Sequence, residues 1–134
     1  MKKTIIFPIL GLVILIVIGL IIFSKSNIIP QVIVEDQPIV NGQVTVQNVT
    51  AVAPSWLVIQ TETNSVPGPV IGYVKINKGE NKNISVSIDT AASTPNLFAM
   101  IHEDDGEKNK FDFPENDMPL MYNDLMVSQL FSVE

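Results

Sequence analysis

Seven acidic residues, two lysines and the chain's one histidine fall within the 16 residues from His102 to Asp117. Hard cations bind through several oxygens, so His102 with Asp104 and Asp105 is a candidate metal set, and calcium is one candidate ion. The stretch does not follow the EF-hand pattern, because counting back from Gly106 puts Ile101 at the first ligand position. Met100, Met118, Met121 and Met126 lie close by in sequence. A histidine with soft thioethers is a Cu(I)-type ligand set, so copper is the second candidate. Each of these residues also has an ordinary structural role. An acidic run between strands reads as a solvated hairpin loop, a histidine ending an apolar strand can hydrogen-bond inside the end of a sandwich, and methionine fills irregular cores.

Other chemistries are poorly served. The chain has no Cys, which removes thiol catalysis, disulfides, Fe–S clusters and thiolate metal sites. No Ser or Thr sits in a nucleophile-elbow pattern, and nothing places two carboxylates on rigid elements around a cleft. An enzyme is therefore not expected, and no cofactor is. Asn48-Val49-Thr50 and Asn83-Ile84-Ser85 are N-glycosylation sequons, which matter only if the domain is exported.

Two different polymers position these residues. Thr4 to Phe23 is a run of 20 residues without a charge, while positions 31 to 134 hold all 14 acids against 5 lysines and carry a net charge of −9. A domain of that charge with no Arg lacks the field that neutralises phosphates and the planar fork that reads guanine, so no nucleic-acid partner is expected. At about 1.5 Å per residue the apolar run is long enough for the hydrocarbon core of a bilayer. It exceeds the usual apolar region of a cleaved signal peptide, which favours a retained signal-anchor helix over residues 1–26. Ser24-Lys25-Ser26 is the competing feature, a small-x-small triplet of the kind signal peptidases accept. Lys2 and Lys3 before the run, against Lys25 after it, place the N-terminus in the cytoplasm and the rest outside.

Residues 27–40, with Pro30 and Pro38 around Gln31 to Asp36, read as a stalk leading into an edge strand. Beyond them short apolar runs recur about every ten residues: Gln43 to Gln47, Trp56 to Thr61, Val70 to Ile76, Ile84 to Ile88, Leu97 to His102 and Met126 to Phe131. β-Branched residues dominate them and Gly, Pro or Asn separates them. Asn41-Gly42 predicts a type I′ turn, Lys78-Gly79-Glu80-Asn81 a second hairpin, and Pro67-Gly68-Pro69 a rigid turn. The expected fold is all-β, an immunoglobulin- or fibronectin-like antiparallel sandwich over 41–134 with Trp56 in its core, preceded by one transmembrane helix.

Pro54-Ser55-Trp56-Leu57-Val58-Ile59, Val66-Pro67-Gly68-Pro69-Val70-Ile71-Gly72-Tyr73, Leu97 to Gly106 and Phe111 to Leu120 form four ordered blocks. They resemble an uncharacterised domain family of archaeal and some bacterial surface proteins. Members of that family look like P-G-W-V-V-I-H, P-G-P-V-I-G-Y, L-Y-A-M-L-H-x-D-x-G and Y-E-F-P-G-x-D-x-P-V in the same order. The resemblance implies an extracytoplasmic β domain, attached to membrane or envelope proteins, whose biochemical role is unknown. Gln60 stands where relatives often carry His, which removes a second histidine from any site here. The expected function is a single-pass envelope sandwich acting as an accessory subunit or interaction module, with membrane and other envelope proteins as partners. Metal binding through His102 and the acidic loop is the alternative.

Overall fold

A computed structural model describes residues 27–134, and the anchor expected over residues 1–26 lies outside the described residues. Among the described residues no helix is long and apolar enough to cross a membrane. The strands are β1 (Gln31–Ile33), β2 (Gln43–Ala51), β3 (Ser55–Thr63), β4 (Val66–Ile76), β5 (Gly79–Ser87), β6 (Asn96–Glu103), β7 (Met121–Tyr122), β8 (Leu125–Met126) and β9 (Ser128–Ser132). A single 3₁₀ turn, Thr90–Ala92, is capped by the Asp89 side chain. All strand pairs are antiparallel, in a three-stranded sheet ordered β1-β2-β5, a four-stranded sheet ordered β4-β3-β6-β9 and a small β7-β8 hairpin.

Alternation along the strands places the core between the two larger sheets. Val44, Val46, Val49, Ala51 and Val86 come from one sheet, and Leu57, Ile59, Ile71, Leu97, Ala99, Ile101 and Phe131 from the other. On β2 the inward phase changes between Val46 and Val49, alongside the segment where Asn83 of β5 takes φ 50°. The segment expected as a stalk contributes β1 and buries Val32 and Val34 in this core, so the folded unit begins near Pro30.

The turn signals fared unevenly. Asn41 and Gly42 both have positive φ, and the two hydrogen bonds between Val40 and Gln43 close a two-residue turn there. Lys78-Gly79 does not close a hairpin, because β4 and β5 lie in different sheets and this turn carries the chain between them. Pro67-Gly68-Pro69 is not a turn either. It lies inside edge strand β4, opposite a bulge at Gln60 to Glu62, and the reversal occurs at Asn64-Ser65, both with positive φ. Proline is tolerated there because an edge strand need not donate every N–H. A Cβ at Gly68 would run into the Thr61 hydroxyl, which would have to turn aside for any larger residue.

Trp56 is buried, but outside the core between the sheets. Leu57 and Ile59 of β3 face that core, whereas Trp56, Val58 and Gln60 point to the opposite face of the four-stranded sheet and are buried as well. A strand covered on both faces needs a third layer, and residues 104–120 supply it.

Candidate functional site

The long connection from β6 to β7 folds back over the outer face of the four-stranded sheet, so it is only partly the solvated loop expected from its charge. Glu103, Asp105, Glu107 and Glu115 are exposed, but Phe111 and Phe113 are half-buried and Asp117 is fully buried. The aromatic residues are the clamp. Phe111 lies 4.4 Å from the Tyr73 ring and 5.6 Å from Trp56 between centroids, Phe113 meets His102 edge-on at 4.9 Å, and Trp56 meets Tyr73 edge-on at 5.7 Å. Such contacts contribute beyond the area they bury.

His102 is the polar centre of this layer. It is buried on β6, with Nδ1 2.7 Å from the carbonyl oxygen of Asp117 in the loop and Nε2 3.1 Å from Oε1 of Gln60 on β3. Gln60 is itself fixed, because its amide Nε2 donates to the Gly68 carbonyl at 2.7 Å. The histidine thus faces two oxygen acceptors. Burial lowers its proton affinity, and the Asp117 carbonyl only partly offsets that. A neutral ring has one N–H to give, from Nδ1 to the Asp117 carbonyl, which ties the loop to the sheet, or from Nε2 to Gln60 Oε1, which ties β6 to β3.

Asp104 anchors the near end of the loop. Its carboxylate pairs with Lys75 of β4, accepts from the Trp56 indole N–H at 3.3 Å and accepts from the Asn109 N–H at 3.2 Å. Burial opposes its charge, yet Lys75, Asn109 and Trp56 outweigh burial and hold the carboxyl below its usual range. Lys75 Nζ also lies 4.7 Å from the Trp56 ring centre, a cation–π contact.

Asp117 anchors the far end. Oδ2 accepts from the Asp112 N–H at 2.9 Å. Burial pushes this carboxyl up, and the neighbouring Asp112 carboxyl pushes the same way against the N–H groups of Asp112 and Asp105. Oδ1 of Asp117 and Oδ1 of Asp112 are buried without a hydrogen-bond partner.

These contacts show where the expected metal residues lie. His102 is under the loop with each ring nitrogen facing a protein oxygen, Asp104 is held by Lys75 and Trp56, and Asp105 is exposed. Met100 is buried, whereas Met118, Met121 and Met126 are exposed. Among the described residues no group of three or more His, Asp or Glu side chains converges on a metal-sized position. Of the two sequons, Asn83 is exposed on β5, while the Asn48 amide Nδ2 donates to Glu80 at 2.7 Å.

Sequence reasoning did not find Gln60, Lys75, Phe111, Phe113 and Asp117 as members of this layer. One signal was present. Phe111 and Phe113 alternate within an otherwise charged stretch, and a purely solvated loop has no use for that pattern.

Folding is expected to weaken on mild acidification because of His102. Its folded-state value is lowered, so its contribution is complete above the unfolded value of about 6.5 and is lost as pH falls from there. Asp117 works oppositely: its folded value is raised, so its contribution is greatest below the unfolded value and is lost as pH rises through the folded one. Urea midpoints of the wild type and His102→Asn, compared between about pH 5 and 7.5, separate the two. The wild-type midpoint should drop faster toward low pH, and parallel profiles would exclude a titrating His102.

No curated protein and no solved structure matches the chain. A family model described as a domain of unknown function, DUF7282, matches residues 30–134, the span that runs from the entry into β1 through the histidine-centred layer to the C-terminus. The chain belongs to the DUF7282 family.

Proposed function

We propose that this is a single-pass, membrane-anchored envelope protein whose β-sandwich faces away from the cytoplasm and serves as an accessory or interaction module of a membrane or surface assembly. The observation that carries this reading is the shortness of the connection. The uncharged run ends at Phe23, and the folded unit and the family match both begin at Pro30, seven residues later. Seven residues reach at most about 25 Å, so a membrane-embedded run holds the sandwich against the bilayer surface. The polar groups of the loop layer are largely engaged with one another, which suits a rigid presenting surface more than a reaction centre. An antiparallel sandwich of a three-stranded and a four-stranded sheet supports the reading, since many cell-surface domains share that architecture. Under this reading Asn83 is the open glycosylation position.

A C-terminal epitope tag on the full chain should be removed by protease added to intact cells, while the N-terminal fragment stays with carbonate-washed membranes. Protection of the tag until lysis would reverse the topology, and release of the fragment into the wash would remove the anchor. Recovery of nothing but the monomer from mild detergent extracts would count against the interaction role.

A further inference from the structure

The β7–β8 hairpin is covered on neither face. Met121 and Met126 form one cross-strand pair and Tyr122 and Leu125 the other, and successive residues of a strand point to opposite sides. All four are exposed, Leu125 at 71% and Met121 at 55%. A two-stranded hairpin is marginal in water without an apolar face to rest on, and this one places its large side chains in solvent.

Strand register locates the hairpin. Gln31 pairs with Thr50, Ala51 with Gly79, and Ser55 with both Ile76 and Glu103, so these residues define one end of the sandwich. The hairpin springs from that end: Leu120 donates to Ile101 at 2.8 Å, Ile101 to Val127 at 3.1 Å, and Val127 to Leu120 at 3.0 Å. Pro30, Gln31 and Val32 line a shallow groove together with Tyr122, Leu125 and Met126, and Ile29 beside them is 62% exposed. The exposed apolar hairpin therefore sits where the chain enters from the uncharged run, whose last residue is seven positions before Pro30.

We infer that the β7–β8 hairpin is a lipid-contacting wedge, lying in the headgroup region of the membrane that residues 4–23 enter. The inference rests on the anchored topology proposed above. Three features favour lipid over a protein groove. The linker leaves the hairpin within reach of the bilayer, exposure on both faces suits a medium that surrounds an element, and a tyrosine among Met and Leu is the amphipathic mixture that membrane interfaces accept. Glu80, Glu103, Asp105, Glu107 and Asp124 lie on or near the same end against Lys78 and Lys108, so the balance there is acidic and the preferred surface is neutral lipid rather than anionic lipid.

The chain has no Cys, so single cysteines can be placed and labelled cleanly. The full chain, reconstituted in phosphatidylcholine vesicles, would carry an environment-sensitive fluorophore at Leu125→Cys, at Thr63→Cys on the opposite end, or at Val13→Cys in the uncharged run. Doxyl-labelled phosphatidylcholine should quench Leu125→Cys and Val13→Cys and leave Thr63→Cys bright. Anionic lipid should reduce the quenching at Leu125→Cys. Quenching at Val13→Cys without quenching at Leu125→Cys would overturn the wedge while keeping the anchor, and loss of both would overturn the anchored reading and the wedge with it. A blue-shifted Leu125→Cys label that doxyl lipid does not quench would mean that protein, such as a second copy of the chain, covers the hairpin, and would also overturn the proposal.

Discussion

Replacing Trp56 with alanine is expected to destabilise the domain by about 3–5 kcal/mol and to loosen the connection between β6 and β7. The indole is where the loop layer meets the sheet. It packs edge-on to Tyr73 and Phe111, lies under Lys75 Nζ and donates to Asp104, which is the loop's first anchor. Its loss leaves a void beneath Phe111 and takes one donor from a largely buried carboxylate. Trp56→Phe should cost less, because it keeps a six-membered ring against Tyr73 and Phe111 and loses the N–H to Asp104 and part of the volume. Urea unfolding of the full chain in detergent checks the ranking. Trypsin checks the location, since Lys108 and Lys110 are exposed in the loop and cleavage there should accelerate in Trp56→Ala before global unfolding. Equal cleavage rates at equal fraction folded would mean that the indole does not pin the loop.

Gly72→Ala is expected to be the most damaging conservative change, at about 3 kcal/mol or more, the upper end for overpacking. A Cβ at Gly72 would drive into the carbonyl oxygen of Ser87 and lie 2.9 Å from Ile88 Cγ2. The obstacle is backbone, which has no rotamer to move aside. This is also where the two sheets approach along their β4 and β5 edges, joined by the bond from the Asp89 N–H to the Ile71 carbonyl at 2.8 Å. Gly42→Ala is the useful comparison. Gly42 has φ +71° but open space around its Cβ direction, so alanine there should cost only the left-handed backbone penalty of about 1–2 kcal/mol. Thermal unfolding of both variants decides the point, and equal losses would show that conformational freedom, rather than close approach, accounts for Gly72.

Gly72 also shows how a motif can be visible in sequence while its reason is not. The Pro67 to Tyr73 block was recognisable as a unit, and Pro-Gly-Pro suggested a turn, yet its glycines answer to neighbours. Gly68 makes room for Thr61, and Gly72 makes room for Ser87 in the other sheet. No local propensity encodes an approach between residues on strands of different sheets.

The sequence by itself determined the all-β class and the central parts of five strands. Alternation or β-branched runs mark Gln43 to Gln47, Trp56 to Thr61, Val70 to Ile76, Ile84 to Ile88 and Leu97 to His102, while the first residues of β4 and β5 and the β7–β8 hairpin carry turn signals or no mark. The sequence also separated the uncharged run of residues 4–23 from a folded unit carrying −9. What only the tertiary structure decided is which sheet each strand joins, and what covers β3, whose residues Ser55 to Thr61 are buried on both faces and so show no alternation to read. His102, Gln60 and Asp117 are 42 and 15 residues apart along the chain as paired, and the loop's aromatic residues seat on rings from β3 and β4. Those contacts are long-range. They depend on the register that sets Trp56 beside His102, and that register exists only once the two strands have come together.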